Sequence, residues 1–164
     1  MRKIGIYVNK ETKSKYTPKP YDTPTNIGVK WQMDVNPKYC YTGTDGEKFY
    51  QYTMIDEASR ERFIYPYKEQ SSYSTIDFVK RAIVYFGYKP QIIQTDNGQE
   101  FTYTMETKRT HPLDVLLNNL NIAHQLIRPR TPRHNGKVER SHRNDQNRFY
   151  SYLKFYSYDD LKIQ

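Results

Sequence analysis

Cysteine is almost missing from this chain: of 164 residues only Cys40 carries a thiol. A lone cysteine cannot close an internal disulfide, and without a Cys pair a zinc site has no beginning. Long apolar runs are missing as well. None approaches the roughly 20 residues that a membrane-spanning helix requires. The first thirty residues hold no apolar core of a signal peptide. No membrane partner is expected, and a reduced cytoplasmic setting fits. Acidic residues are in the minority, 18 against 26 Lys and Arg, for a net charge of +8. There is no internal repeat.

What is present is one domain's worth of chain, since 164 residues exceed one small core and fall short of two ordinary domains. Hydrophobic residues at 36% and charged residues at 27% allow a modest core and argue against full disorder. The charge is unevenly spread. Residues 1–30 hold 7 basic and 2 acidic residues, residues 31–127 hold 10 and 12, and residues 128–164 hold 9 and 4. A basic chain with that footprint suggests a polyanionic partner, most often nucleic acid. Residues 1–28, with five lysines and three prolines and no sustained period, read as a basic arm or linker, and residues 29–164 as the folded body.

The body has a legible order. Trp31, Met33 and Val35 alternate with Gln32 and Asp34, a strand period that turns Asp34 away from the face carrying Trp31. Residues 47–55 and 61–67 are aromatic and β-branched, with the polar turn 56–60 between them, and read as a hairpin. Ile76, Val79, Ile83 and Phe86 have helical spacing, with Ser71 or Ser72 to cap the start and Gly87 to end it. Gln91–Thr95 reads as a strand, Pro112 opens a leucine-rich helix, residues 122–127 give a fifth strand, and a polar helix is predicted from about 135 to 152. The order β-β-β-α-β-α-β-α implies a mixed five-stranded sheet flanked by helices, an α/β fold. The 17 tyrosines mostly fall inside these patterns, which favours packing over base stacking.

Three carboxylates stand out by position. Asp34 lies in the first strand. Asp96 directly follows the strand Gln91–Thr95 and opens the turn text Asp96-Asn97-Gly98. Acids at the carboxyl ends of neighbouring strands repel each other, a conflict that a divalent cation resolves, and hard oxygen donors favour magnesium or manganese. Glu139 is the third candidate. It is one of two acids in the basic stretch 128–148, and its i,i+4 relation to Arg143 leaves a plain ion pair open as well. On a helical wheel Val138, Phe149, Tyr152 and Tyr156 form an apolar stripe. Glu139, Arg143, Gln146 and Tyr150 lie on the flank beside it, which would look over the sheet edge bearing Asp34 and Asp96.

The texts Trp31-Gln-Met-Asp34, Gln94-Thr-Asp-Asn-Gly-Gln-Glu-Phe101 and Arg128-Pro-Arg-Thr-Pro-Arg-His-Asn-Gly-Lys-Val-Glu-Arg-Ser-His142 closely resemble the catalytic core of the Asp-Asp-Glu integrase/transposase superfamily. The match is nearest to bacterial insertion-sequence transposases, with retroviral integrases more distant. It covers roughly residues 28–160. The resemblance implies an RNase H-like fold and a metal-binding triad of Asp34, Asp96 and Glu139. It also implies two magnesium ions, replaceable by manganese, with Asp34 bridging them. It implies nicking at element ends and strand transfer into target DNA without a covalent protein intermediate, and a homo-oligomer assembled on DNA. Arg133, Asn135, Lys137, Arg140 and Arg143 are the expected DNA contacts, better as a group than singly. Asn97 and Gly98 are expected to shape the turn, Glu100 to serve a turn or surface role, and Asp56 to cap the hairpin.

The chain departs from the family in two respects. Asp96 and Glu139 are separated by 42 residues, a longer interval than is usual there, and the polar stretch Thr102–His111 reads as the inserted loop. The end-reading module of full-length members has no counterpart, so this text is expected to be one piece of a longer protein with weak, salt-sensitive DNA binding. Two alternatives stand beside the transposase reading: a purely hydrolytic RNase H-like nuclease, and a DNA-binding remnant without catalysis.

Overall fold

The computed structural model describes residues 23–39, 48–105, 107–127 and 136–164. The arm proposed for residues 1–28 therefore falls mostly outside the described residues, as do Arg133 and Asn135. Five strands form one sheet: β1 (Lys30–Tyr39), β2 (Lys48–Asp56), β3 (Arg62–Tyr67), β4 (Ile92–Thr95) and β5 (Ala123–Leu126). Their spatial order is β3-β2-β1-β4-β5. The first three strands run as an antiparallel meander, and β4 and β5 extend the sheet in parallel through helical crossovers. The helices are α1 (Ser72–Phe86), α2 (Pro112–Asn119), α3 (Gly136–Asp145) and α4 (Tyr158–Ile163), and a π-helical turn, Gln146–Tyr150, continues α3. This is the expected mixed α/β fold with one more short helix at the end.

The strand period decides which residues meet which helices. Trp31, Met33, Tyr52, Met54 and Ile93 are fully buried on one face of the sheet, where Phe78, Val79, Ala82, Leu113 and Leu117 of α1 and α2 pack against them. Aromatic contacts knit this layer together: Trp31 lies 4.5 Å from Phe86 between ring centroids, and Tyr52 lies 4.9 Å from Tyr67. The tyrosines of the strands are thus packing residues, and burial pushes the Tyr52 phenol up to about 12. Gln32, Asp34, Gln51 and Thr53 occupy the opposite face, and α3 lies on that side. Phe49, Phe155 and Leu161 form a smaller second core there.

The helix boundaries follow their caps. The Ser71 side chain accepts from the Ser74 N–H at the start of α1, and Gly87, at φ 73°, ends it with its N–H on the Ile83 carbonyl, the cap and stop expected from the sequence. The third helix differs from expectation. It does not continue regularly to residue 152. The Ser151 N–H reaches back to the Gln146 carbonyl at 3.0 Å, an i→i+5 bond that admits one extra residue per turn. The helix ends with this turn, so residues 151–156 follow no helical stripe: Tyr152 and Tyr156 are exposed, while Phe155 packs on Phe49.

Candidate active site

The site is assembled where three elements meet. In the parallel pairing of β1 and β4, Gln32 stands opposite Gln94. Two residues further along the same register, Asp34, still within β1, and Asp96, one residue past β4, come to the same face. Asp96 sits just past the end of β4, and its Oδ1 accepts the Gly98 N–H at 2.9 Å, the Asx turn that the text Asp-Asn-Gly favours. Asn97 ties this turn to the next strand, its Nδ2 donating to the Ile127 carbonyl at 2.9 Å. Thr95 fixes the strand end from beneath: its hydroxyl lies 2.9 Å from His124 Nε2, and His124 Nδ1 lies 2.6 Å from Asp114.

The electrostatics agree with a shared site. Asp96 is exposed on one side, yet the protein around it raises its carboxyl above the usual carboxylate range, by desolvation first, against the lowering effect of the Gly98 N–H, and further by the negative charges of Asp34 and Glu100. Of the turn or surface role expected for Glu100, the structure keeps the turn and not the surface. It is buried beneath the turn and hydrogen-bonded by the Gln70 amide. A Cβ built on Gly98 would stand 2.6 Å from its Oε2, so glycine is what lets the two pack.

From the other side α3 presents His142 to β1. The imidazole is buried, and its Nε2 lies 3.2 Å from Asp34 Oδ2. The contact is close but not aligned as a hydrogen bond, and neither ring nitrogen has a hydrogen-bond partner. Glu139 lies one turn earlier on α3, is exposed, and has no ion-pair partner among the described residues. The feared i,i+4 pair with Arg143 does not form. Among the described residues, however, no group of three His, Cys, Asp or Glu is spaced to hold a metal ion. Asp34 and Asp96 are brought together, and Glu139 is on the adjoining helix without closing on them. Two like-charged carboxylates with one raised pKa fit a hard divalent cation, since magnesium takes one or two protein carboxylates and completes its shell with water and phosphate oxygens.

Of the expected DNA contacts, Arg140 and Arg143 are exposed on α3. Lys137 is turned inward instead. Its Nζ lies 3.0 Å from Glu57 Oε2, a carboxylate with no exposure that also accepts from Gln32 Nε2 at 2.7 Å. Sequence reasoning assigned Glu57 no structural partner; for His142, which lacks the Cys or His companions of a zinc site, it left open an approach to DNA or a pairing with an acid, and the structure sets it beside Asp34. Only the His spacing of three residues from Glu139 hinted that His142 could share its flank.

Comparison with known proteins bears on the whole arrangement. The family model described as integrase core domain matches residues 24–132, a segment that includes Asp34 and Asp96 and stops before Glu139. A protein of Spiroplasma virus SpV1-C74 named "Putative integrase ORF3" is 38% identical over 108 residues, 60% of this chain and 30% of that protein. Among solved structures, the HTLV-2 integrase catalytic core domain in complex with magnesium superposes with a TM-score of 0.60 at 26% identity, covering 77% of this chain and 72% of that one. The simian T-cell lymphotropic virus intasome, solved in complex with a PP2A regulatory subunit, gives a TM-score of 0.74 at 20% identity over 90% of this chain and 51% of its own. The chain thus spans about a third of that curated relative and half of the intasome chain. The fold is RNase H-like, that of retroviral integrase catalytic cores.

Proposed function

This chain belongs to the integrase core domain family, and from that membership we propose that it is the catalytic core of a DNA integrase or transposase that nicks transposon ends and joins their 3′-hydroxyls to target DNA. The observation that carries the reading is the adjacency of Asp34, within β1, and Asp96, just past the end of the parallel neighbour β4, with α3 docked against Asp34 through His142. In this reading Asp34, Asp96 and Glu139 would hold magnesium, as two ions replaceable by manganese. When bound, such ions supply Lewis-acid polarisation of a phosphodiester and a more acidic attacking oxygen.

The chain's own residues do the rest. The Asx turn after β4 aims Asp96, and burial of Glu100 beneath that turn stiffens it. His142 packs on Asp34 and limits its rotamers. Arg140 and Arg143, with Arg133 and Asn135 from the preceding stretch, would meet phosphate oxygens, while Lys137 is held by Glu57. No Ser or Tyr nucleophile is assigned. DNA is the proposed substrate and partner, a homo-oligomer on DNA the proposed working form, and the cytoplasm the proposed setting. No helix among the described residues is long and apolar enough to cross a membrane.

The test is direct. With magnesium or manganese, wild-type protein should nick duplex DNA and join a 3′-hydroxyl end to a second duplex, and Asp96→Asn should reduce both to background while still binding DNA. Equal nicking by wild type and Asp96→Asn would remove the enzyme reading. Nicking without joining would favour the hydrolytic nuclease. Calorimetric titration with manganese in the absence of DNA supplies a second readout, which Asp34→Asn should weaken.

A further inference from the structure

The flank of α3 turned away from Asp34 borders an open cavity of about 820 Å³. Arg60 of the β2–β3 turn and Arg62 of β3 line one side, and Lys137, Arg140, Asn144 and Arg148 line the other. The helical positions advance by three and four residues, so they share one face of the helix. His142, which touches Asp34, lies on the other side of α3. The cavity therefore belongs to neither the carboxylate edge nor its turn.

Its charge is only partly neutralised. Arg62 Nη2 lies 2.6 Å from Asp145 Oδ1, and Lys137 pairs with Glu57. Arg60, Arg140 and Arg148 are exposed and have no carboxylate partner among the described residues. Three unmatched guanidiniums lining one concavity give it a positive potential that attracts an anion. Arg60 adds a backbone signal. It sits at φ 66°, in the left-handed region that side-chain-bearing residues rarely adopt. An arginine kept where glycine or asparagine would fit the turn better points to work for its side chain.

We propose that this groove binds the phosphodiester backbone of DNA, as a second contact surface separate from the carboxylate edge. Guanidinium is the side chain best matched to phosphate, by charge and by its paired donors. The concavity is open and rimmed along two elements, which suits an extended polyanion more than a small enclosed anion. The choice of DNA over an acidic peptide rests on the function proposed above. Because the same helix carries Glu139 on one flank and the groove on the other, a strand held in the groove would fix the helix that faces the carboxylates.

Binding of a labelled DNA duplex, followed by fluorescence anisotropy in EDTA across a salt series, isolates the groove from catalysis. Replacing two phosphate contacts should lower affinity by about tenfold or more near 0.1 M salt and flatten the log–log salt slope by about 2. Arg60→Gly combined with Arg148→Gln should do this, while circular dichroism melting stays level or rises because the left-handed strain at residue 60 is relieved. Lys80→Gln, on α1 across the sheet, should leave affinity nearly unchanged. Unaltered affinity and slope in the double variant overturn the proposal, as does wild-type protein that binds no duplex. Displacement by polyglutamate as effective as by unlabelled DNA would also overturn it, in favour of an acidic protein. The two readings can fail separately. Weakened binding in the groove variant with nicking indifferent to Asp96→Asn keeps the groove and removes the enzyme. The reverse pattern keeps the enzyme and removes the groove.

Discussion

Asp56 carries more of the fold than a turn-capping residue would. Its Oδ1 accepts the N–H groups of Ala58 and Ser59 at 2.8 and 2.9 Å, the expected cap. Its Oδ2 also accepts the Gly28 N–H at 2.7 Å and the Trp31 indole N–H at 3.0 Å. Burial raises its carboxyl, but these donors outweigh burial and hold it below the usual range. The stability it supplies is complete above the carboxyl's unfolded pKa and is lost as pH falls through the lower folded value. Asp56→Ala strands several buried donors and should cost about 3 kcal/mol or more in urea unfolding monitored by Trp31 fluorescence. His142 makes the opposite prediction. Its ring is buried without a hydrogen bond, so His142→Leu should be neutral or stabilising by up to about 1 kcal/mol. The same change should weaken manganese binding, because Asp34 loses the ring that limits its rotamers.

At the level of elements, α2 rests on an unusual cap. His111 precedes Pro112, and its Nδ1 accepts the Leu113 N–H at 3.2 Å. The other nitrogen lies 3.3 Å from the Gln99 carbonyl, which joins the cap to the turn that carries Asp96. Burial lowers the pKa of His111, and protonation would destroy the acceptor. Its contribution is therefore present above the unfolded value of about 6.5 and declines as pH falls toward the folded value. Thermal melting between pH 7.5 and 5 should show this decline, and His111→Asn, which keeps a capping acceptor, should flatten it. The turn after β4 is similarly specified. Gly98→Ala forces Glu100 off Gln70 and should cost about 1–2 kcal/mol, with a larger proportional loss of nicking than of stability.

For the whole molecule, the sheet separates two tasks. The α1 and α2 face holds most of the aromatic core, and the α3 face holds the carboxylates, the basic groove and the small second core. Leu161→Ala in that second core should loosen the segment after the π turn and lower the melting temperature, at a cost of about 2–3 kcal/mol. Hydrogen exchange should rise in residues 146–161 and little in α1.

The strand-helix order, the cap at Ser71, the stop at Gly87 and the pair Asp34 and Asp96 were all legible in the sequence. They depend on local periods, caps and turn chemistry that a short window contains. The strand tyrosines Tyr50, Tyr52, Tyr65 and Tyr67 were legible as packing residues for the same reason, whereas Tyr73, Tyr152 and Tyr156 are exposed. The π turn was not legible, because one extra residue in a helix is settled by where Phe155 and Leu161 can reach the core. Nor were the burial of Glu100, the inward turn of Lys137 to Glu57 and the cavity lined by Arg60 and Arg148. Each depends on residues far apart in the chain that meet only when α3 is laid across the sheet. Sequence determined which side chains could do chemistry; tertiary structure decided which were neutralised by a buried partner and which were left facing solvent.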